Sequence, residues 1–217
     1  MGAALVEFDV QLTRDGHVVV IHDPTVDRTT NGHGRVGELR LEELRALSAG
    51  YPERFGSRYS GERIPTLAEV LAFLRGRVRA MVEIKTDSVS DDALGGIEAR
   101  TIEEVRRQGM SDDLALVSFD TRALRRCRDL APELVRGYLF ARPLGDAVAA
   151  ALEVGAQVVM PEKRMLSDEL RDRTKAAGLK LATWVVDDPQ ELRELERFDL
   201  YGLATNRPGV MLEALAD

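Results

Sequence analysis

Apolar and polar positions alternate along this chain in two rhythms. Short runs rich in β-branched residues recur at "ALVEFDV", "RAMVEIK", "LALVSF", "LVRGYLF", "AQVVMP", "LKLATWVV" and "YGLATN". Between most of them lie stretches of helical period, such as "DDALGGIEARTIEEVRRQG", "TRALRRCRDL" and "SDELRDRTKAAG". Helix starts are marked by a capping residue three before a glutamate, in "TLAE" at Thr66 to Glu69 and in "DPQE" at Asp188 to Glu191. Pro189 would then take the first helical position. Gly109 and Gly178 stand where helices should stop.

Repeated β-α units with short connections predict a parallel sheet, either open or closed into a barrel. No Gly-rich dinucleotide fingerprint follows any strand, and reactive side chains stand at the carboxyl ends of several different strands. That distribution favours a TIM-type (β/α)8 barrel. The pattern supplies about seven strands plus an extra β run at "HVVVIH", which reads as a small hairpin insertion near the N-terminus. One β/α unit of a complete barrel is therefore expected to be missing. The regular rhythm runs from residue 1 to 217 without linker or low-complexity segment, so a single domain is expected.

Composition narrows the functional classes. The 217 residues are 44% hydrophobic and carry a formal net charge of −7, which argues against nucleic acid or an anionic membrane as partner. No apolar run reaches the length of a membrane span, and the first residues lack the regions of a signal peptide, so a cytoplasmic protein without stable membrane insertion is expected. The single cysteine, Cys127, rules out a disulfide framework and reads as a buried helix residue.

Several side chains could carry chemistry. Glu7 and Asp9 lie two apart on a strand and share a face. Paired carboxylates turned inward repel unless a cation sits between them, and hard divalent ions such as Mg²⁺ or Ca²⁺ favour such oxygen ligands. Glu83 and Lys85 repeat that spacing in "AMVEIK", offering a third carboxylate and a cation. Spacing alone equally allows strand-end surface charges or ion pairs. His22, followed by Asp23 and a turn-forming proline, has the chemistry of a general acid or base, although a local hydrogen-bonded pair explains the dipeptide as well. His17 and His33 are expected to face water. Trp184 could wall a pocket or pack the core.

Taken together, "GAALVEFDVQLTRDGHVVVIHDPTVDRTTNGHGRV" followed by "RIPTLAEVL", "VEIK", "VSF", "TWVV" and "TNRP" resembles the glycerophosphodiester phosphodiesterase family along the whole chain. The resemblance implies a β/α barrel that hydrolyses glycerophosphodiesters, in lipid metabolism, to glycerol 3-phosphate and an alcohol with a divalent metal. Residue by residue, it implies that Glu7, Asp9 and Glu83 are metal ligands, His22 is one of two catalytic histidines, Lys85 contacts phosphate, and Trp184 lies near the glycerol group. Family members begin with a strand carrying His-Arg-Gly, followed by Pro-Glu-Asn-Thr, and this sequence starts after both. With one histidine of the pair absent, a non-catalytic barrel that binds metal and phosphodiester stands as the alternative. A related phosphodiesterase acting on sphingolipid or inositol lipid head groups is a third reading. The family's usual aspartate in the last motif is Asn206 here, a change expected to matter less. Neither the leaving alcohol, nor the metal, nor the oligomeric state follows from the sequence.

Overall fold

The computed structural model describes residues 2–92, 94–143 and 145–216. The strands are β1 (Leu5–Leu12), β2 (Val18–Val20), β3 (Arg79–Ile84), β4 (Leu114–Ser118), β5 (Val135–Phe140), β6 (Val158–Pro161), β7 (Lys180–Thr183) and β8 (Gly202–Leu203). The helices are α1 (Leu41–Ala46), α2 (Pro52–Phe55), α3 (Leu67–Leu74), α4 (Ile97–Arg107), α5 (Thr121–Leu130), α6 (Ala147–Glu153), α7 (Asp168–Ala176), α8 (Pro189–Leu195) and α9 (Pro208–Ala216).

All strands join one sheet in the order β2-β1-β3-β4-β5-β6-β7-β8. The pairs from β1–β3 to β7–β8 are parallel, and β2 alone runs antiparallel, beside the carboxyl-terminal part of β1. Among the described residues no ladder joins β1 to β8, and Leu5 and Val6 on the free side of β1 are exposed. The architecture is α/β, an eight-stranded and mostly parallel half-barrel of the TIM type.

The period of two along each strand divides the core into layers. Val10, Val82, Ile84, Leu114 and Leu116 point outward and pack with Leu67, Leu71, Ile97, Val105, Ala123 and Cys127 of the flanking helices. The alternate positions Val117, Leu139, Val158, Met160 and Ala182 form a second cluster on the concave side, with Met81, Phe119 and Trp184 packed against it. Gly137 belongs to this inner layer because a Cβ there would meet Met160 Sδ at 2.8 Å and Val117 Cγ1 at 2.9 Å. A third cluster, Val19, Val26, Val36, Leu44 and Ile64, fills the segment between β2 and α3.

Local signals set the helix ends. Thr66 and Glu69 form the reciprocal capping box, with Glu69 N–H donating to Thr66 Oγ1 and Thr66 N–H donating to Glu69 Oε2. At α8 the outcome differs. Asp188 caps the N–H of Gln190, but the Glu191 carboxylate turns away to Lys163 Nζ, 2.5 Å distant, because an ammonium is a stronger partner than a backbone amide. Gly109 and Gly178 follow α4 and α7 at φ +65° and +71°, the left-handed conformation that ends helices. Asp91, Asp92, Leu94, Gly95 and Gly96 lie ahead of α4, with Asp92 Oδ1 accepting from the N–H groups of Leu94 and Gly95, and Ala93 lies outside the described residues. Cys127 is fully buried on α5.

Candidate active site

The site starts with β1 and β3. Their parallel register places Asp9 opposite Glu83, so both carboxylates leave neighbouring strands on the concave face. Glu7 leaves the same face two residues earlier. One ligand atom from each of Glu7, Asp9 and Glu83 lies within 4.8 Å of the others. Lys85, just past β3, places Nζ 2.7 Å from Glu83 Oε1 and 3.2 Å from Asp9 Oδ1. These three side chains are only 11% to 16% exposed, so the charges attract through protein more than through water.

The electrostatics follow. Although Glu7 as a residue is exposed, loss of hydration at its carboxyl, reinforced by the negative charges of Asp9 and Glu83, pushes it up to about 7, and Lys85 offsets part of the rise. Glu83 is also raised, by burial first, with the Lys85 hydrogen bond and charge opposing. Burial alone would lower Lys85, but the hydrogen bond and charge of Glu83, with Asp9, raise it. Three convergent carboxylates and one ammonium leave an excess of negative charge, and hard oxygen donors at this spacing could hold a divalent cation. The donor set therefore fits a divalent metal.

His22 sits where the chain leaves β2, next to the open end of β1. Its Nδ1 lies 2.7 Å from Asp23 Oδ1, and Asp23 also accepts two hydrogen bonds from Arg28, at 2.5 and 2.9 Å. The Arg28 hydrogen bonds, aided by His22, hold the Asp23 carboxyl down at about 2. With Nδ1 engaged, Nε2 is the nitrogen left for chemistry on a ring 64% exposed. His17 and His33 are exposed.

Trp184, half-buried, continues β7 on the concave side and donates Nε1–H to the Met160 carbonyl at 3.0 Å. Its ring meets Phe119 edge to face, with centroids 5.5 Å apart. Both pack in one cluster with Met81, two residues before Glu83 on its inward face, so an aromatic wall adjoins the charged one. Asn206 donates its backbone N–H and its side-chain amide to Asp187, at 2.7 and 3.0 Å. An aspartate at that position could not make the second bond. Phe119 and Arg28 were not singled out by sequence reasoning. The signals were present, an aromatic ending the "VSF" strand run and an arginine five residues after Asp23, but neither specifies its partner.

The model of the glycerophosphoryl diester phosphodiesterase family matches residues 1–210. This chain belongs to that family. A glycerophosphodiester phosphodiesterase of Caldanaerobacter subterraneus subsp. tengcongensis is 36% identical over 213 residues, covering 98% of this chain and 86% of that protein. Among solved structures, a glycerophosphodiester phosphodiesterase from Agrobacterium tumefaciens is 29% identical with a TM-score of 0.79, covering 97% of this chain and 87% of the other. An Oleispira antarctica phosphodiesterase, solved in complex with its product sn-glycerol-3-phosphate, has a TM-score of 0.87 at 26% identity, covering 100% of this chain and 86% of the other. The relatives so named carry a phosphoric diester hydrolase activity, and among the described residues no helix is long and apolar enough to cross a membrane.

Proposed function

We propose that this family member hydrolyses glycerophosphodiesters to glycerol 3-phosphate and an alcohol, with a divalent metal, Mg²⁺ or Ca²⁺, held by Glu7, Asp9 and Glu83. The observation that carries the reading is the meeting of these carboxylates with Lys85 on one concave face. When bound, the metal supplies positive charge to the phosphate oxygens. The protein's own residues do the rest. Lys85 leaves its carboxylate partners enough to contact a phosphate oxygen and stabilise charge that builds up during cleavage. His22, its Nδ1 fixed by Asp23, moves a proton through Nε2. The ring of Trp184, beside Phe119, lies against the glycerol carbons and excludes water from that side. The product bound in the Oleispira antarctica structure supports the same product class here.

The test is release of glycerol 3-phosphate from glycerophosphocholine by this chain with Mg²⁺ or Ca²⁺, with EDTA, and with the Glu83→Gln variant. Release that EDTA and Glu83→Gln each abolish is expected. Release indifferent to both would reject the carboxylate site, and metal binding without release would favour a non-catalytic barrel.

A further inference from the structure

Gln11 is the next inward residue of β1 after Asp9, and it is 2% exposed. A buried amide must place two donor hydrogens and an acceptor oxygen, or forfeit their hydration. Gln11 uses both ends. Its Nε2 donates to the backbone carbonyl of His22 at 3.2 Å, and its Oε1 accepts from Ser88 Oγ at 2.8 Å. Ser88 Oγ in turn accepts the N–H of Leu12 at 3.0 Å. Ser88 lies three residues after Lys85, in the turn that leaves β3.

These bonds join three segments that local sequence does not connect: the carboxylate strand, the segment carrying His22, and the turn following Lys85. The backbone adds to the tie, with Ile21 N–H donating to the Asp9 carbonyl at 3.1 Å and Lys85 N–H approaching the Val10 carbonyl at 3.4 Å. His22 itself is otherwise weakly fixed. Its ring is exposed, and its side-chain partner, Asp23, belongs to the same loop. Asp23 and Arg28 can set the orientation of the ring within that loop. They cannot set the distance between the loop and the carboxylates.

We infer that Gln11, buried, and Ser88, half-buried, form a hydrogen-bonded relay that holds the His22 segment against the strand carrying Glu7 and Asp9, making both of them positioning residues for proton transfer. The inference rests on the proposed catalytic role of His22. Neither residue touches the reacting atoms, so their effect should fall on turnover and spare substrate and metal binding. Misplacing a catalytic group by about 1 Å typically costs about 100-fold in rate.

The experiment compares the full chain with Ser88→Ala, Ser88→Thr, Gln11→Leu and His22→Ala. It measures kcat and KM for glycerophosphocholine, the metal concentration giving half-maximal rate, the melting temperature, and the ring proton signals of His22 assigned by their loss in His22→Ala. Ser88→Ala is expected to lower kcat about tenfold or more, with KM and metal requirement changed less than about twofold, and to move or broaden the His22 ring signals. Ser88→Thr, which keeps the hydroxyl, should restore kcat to within about threefold. Gln11→Leu should reproduce the kcat loss. Unchanged kcat in Ser88→Ala and Gln11→Leu would overturn the relay, as would equal losses in kcat, metal requirement and melting temperature that Ser88→Thr does not rescue. Full activity in His22→Ala would refute the catalytic role of His22 itself, and that result is read independently of the Ser88 and Gln11 variants.

Discussion

Replacing Lys85 with methionine tests the electrostatic core of the site without a large change of shape. The ammonium lies 2.7 Å from Glu83 Oε1 and 3.2 Å from Asp9 Oδ1, with all three side chains largely shielded. Removing one partner of a buried pair costs about 3–5 kcal/mol. Water at the exposed edge beside Glu7 weakens the repulsion left behind, so about 2–4 kcal/mol is the reasonable range here. In a chain of this length about 1 kcal/mol moves the melting temperature by about 2–4 °C, which predicts a fall of about 4–16 °C near pH 8 in EDTA. The pH dependence has a definite sign. Glu7 has its folded value raised from 4.5 to about 7, so its contribution to stability is present below pH 4.5 and lost as pH rises through about 7. Glu83 is shifted the same way, and loss of Lys85 removes the group that holds both down. The deficit of Lys85→Met should therefore shrink on going from about pH 8 to about pH 5, and it should shrink near pH 8 when a divalent ion replaces the missing cation. Thermal unfolding in EDTA and in millimolar Mg²⁺ or Ca²⁺ at both pH values measures this. A melting temperature within about 2 °C of the parent near pH 8, or a deficit identical at both pH values and with metal, would refute the reasoning.

Other consequences are as definite. Burial, with the charge of Glu98 behind it, pushes the Cys127 thiol up to about 12, so a thiol reagent near pH 8 should label the native chain only at the rate of unfolding; fast stoichiometric labelling would contradict its burial. Gly137→Ala should destabilise by about 1–3 kcal/mol, because the new methyl would press on Met160 and Val117, and an unchanged denaturant midpoint would show that the inner layer has room. Asp23→Asn should reduce turnover with little change in KM, since the amide keeps one acceptor oxygen but sets an NH2 donor against Arg28 or His22 and loses the negative charge; equal activity across the pH range would remove Asp23 from the site.

How far the sequence reveals this site depends on whether a contact is written in local spacing or made across the fold. Strand parity was legible: the period of two puts Glu7 with Asp9, and Glu83 with Lys85, on one face each. Turn and cap chemistry was legible too, at Thr66, Asp188, Gly109 and Gly178. Contacts between distant segments were not. The turn of Glu191 toward Lys163 and the bond between Ser88 and Gln11 join residues 28 and 77 positions apart, and no local rule selects them. The resemblance to the phosphodiesterase family supplied roles for Lys85 and Trp184, but not the ion pairs of Lys85 or the Phe119 wall.

The decisive quantity lies between these extremes. Parity says that Asp9 and Glu83 each face inward, yet the cluster exists only because the parallel register sets Asp9 against Glu83 and not against Met81 or Lys85. A slip of one residue would turn one carboxylate into the helix layer among Val82 and Ile84, where an unpaired charge is too costly to tolerate. A slip of two would keep every side chain on its face and still move the carboxylates along the sheet by two residues, about 6–7 Å, beyond the span of one ion. Burial therefore excludes the odd registers, while the cross-strand interactions at the carboxyl end help tell the even ones apart: Lys85 with Asp9, and Leu12 and Gln11 with Ser88. The residues that set the height of the carboxylates on the sheet are thus the same ones that tie them to Lys85 and to His22.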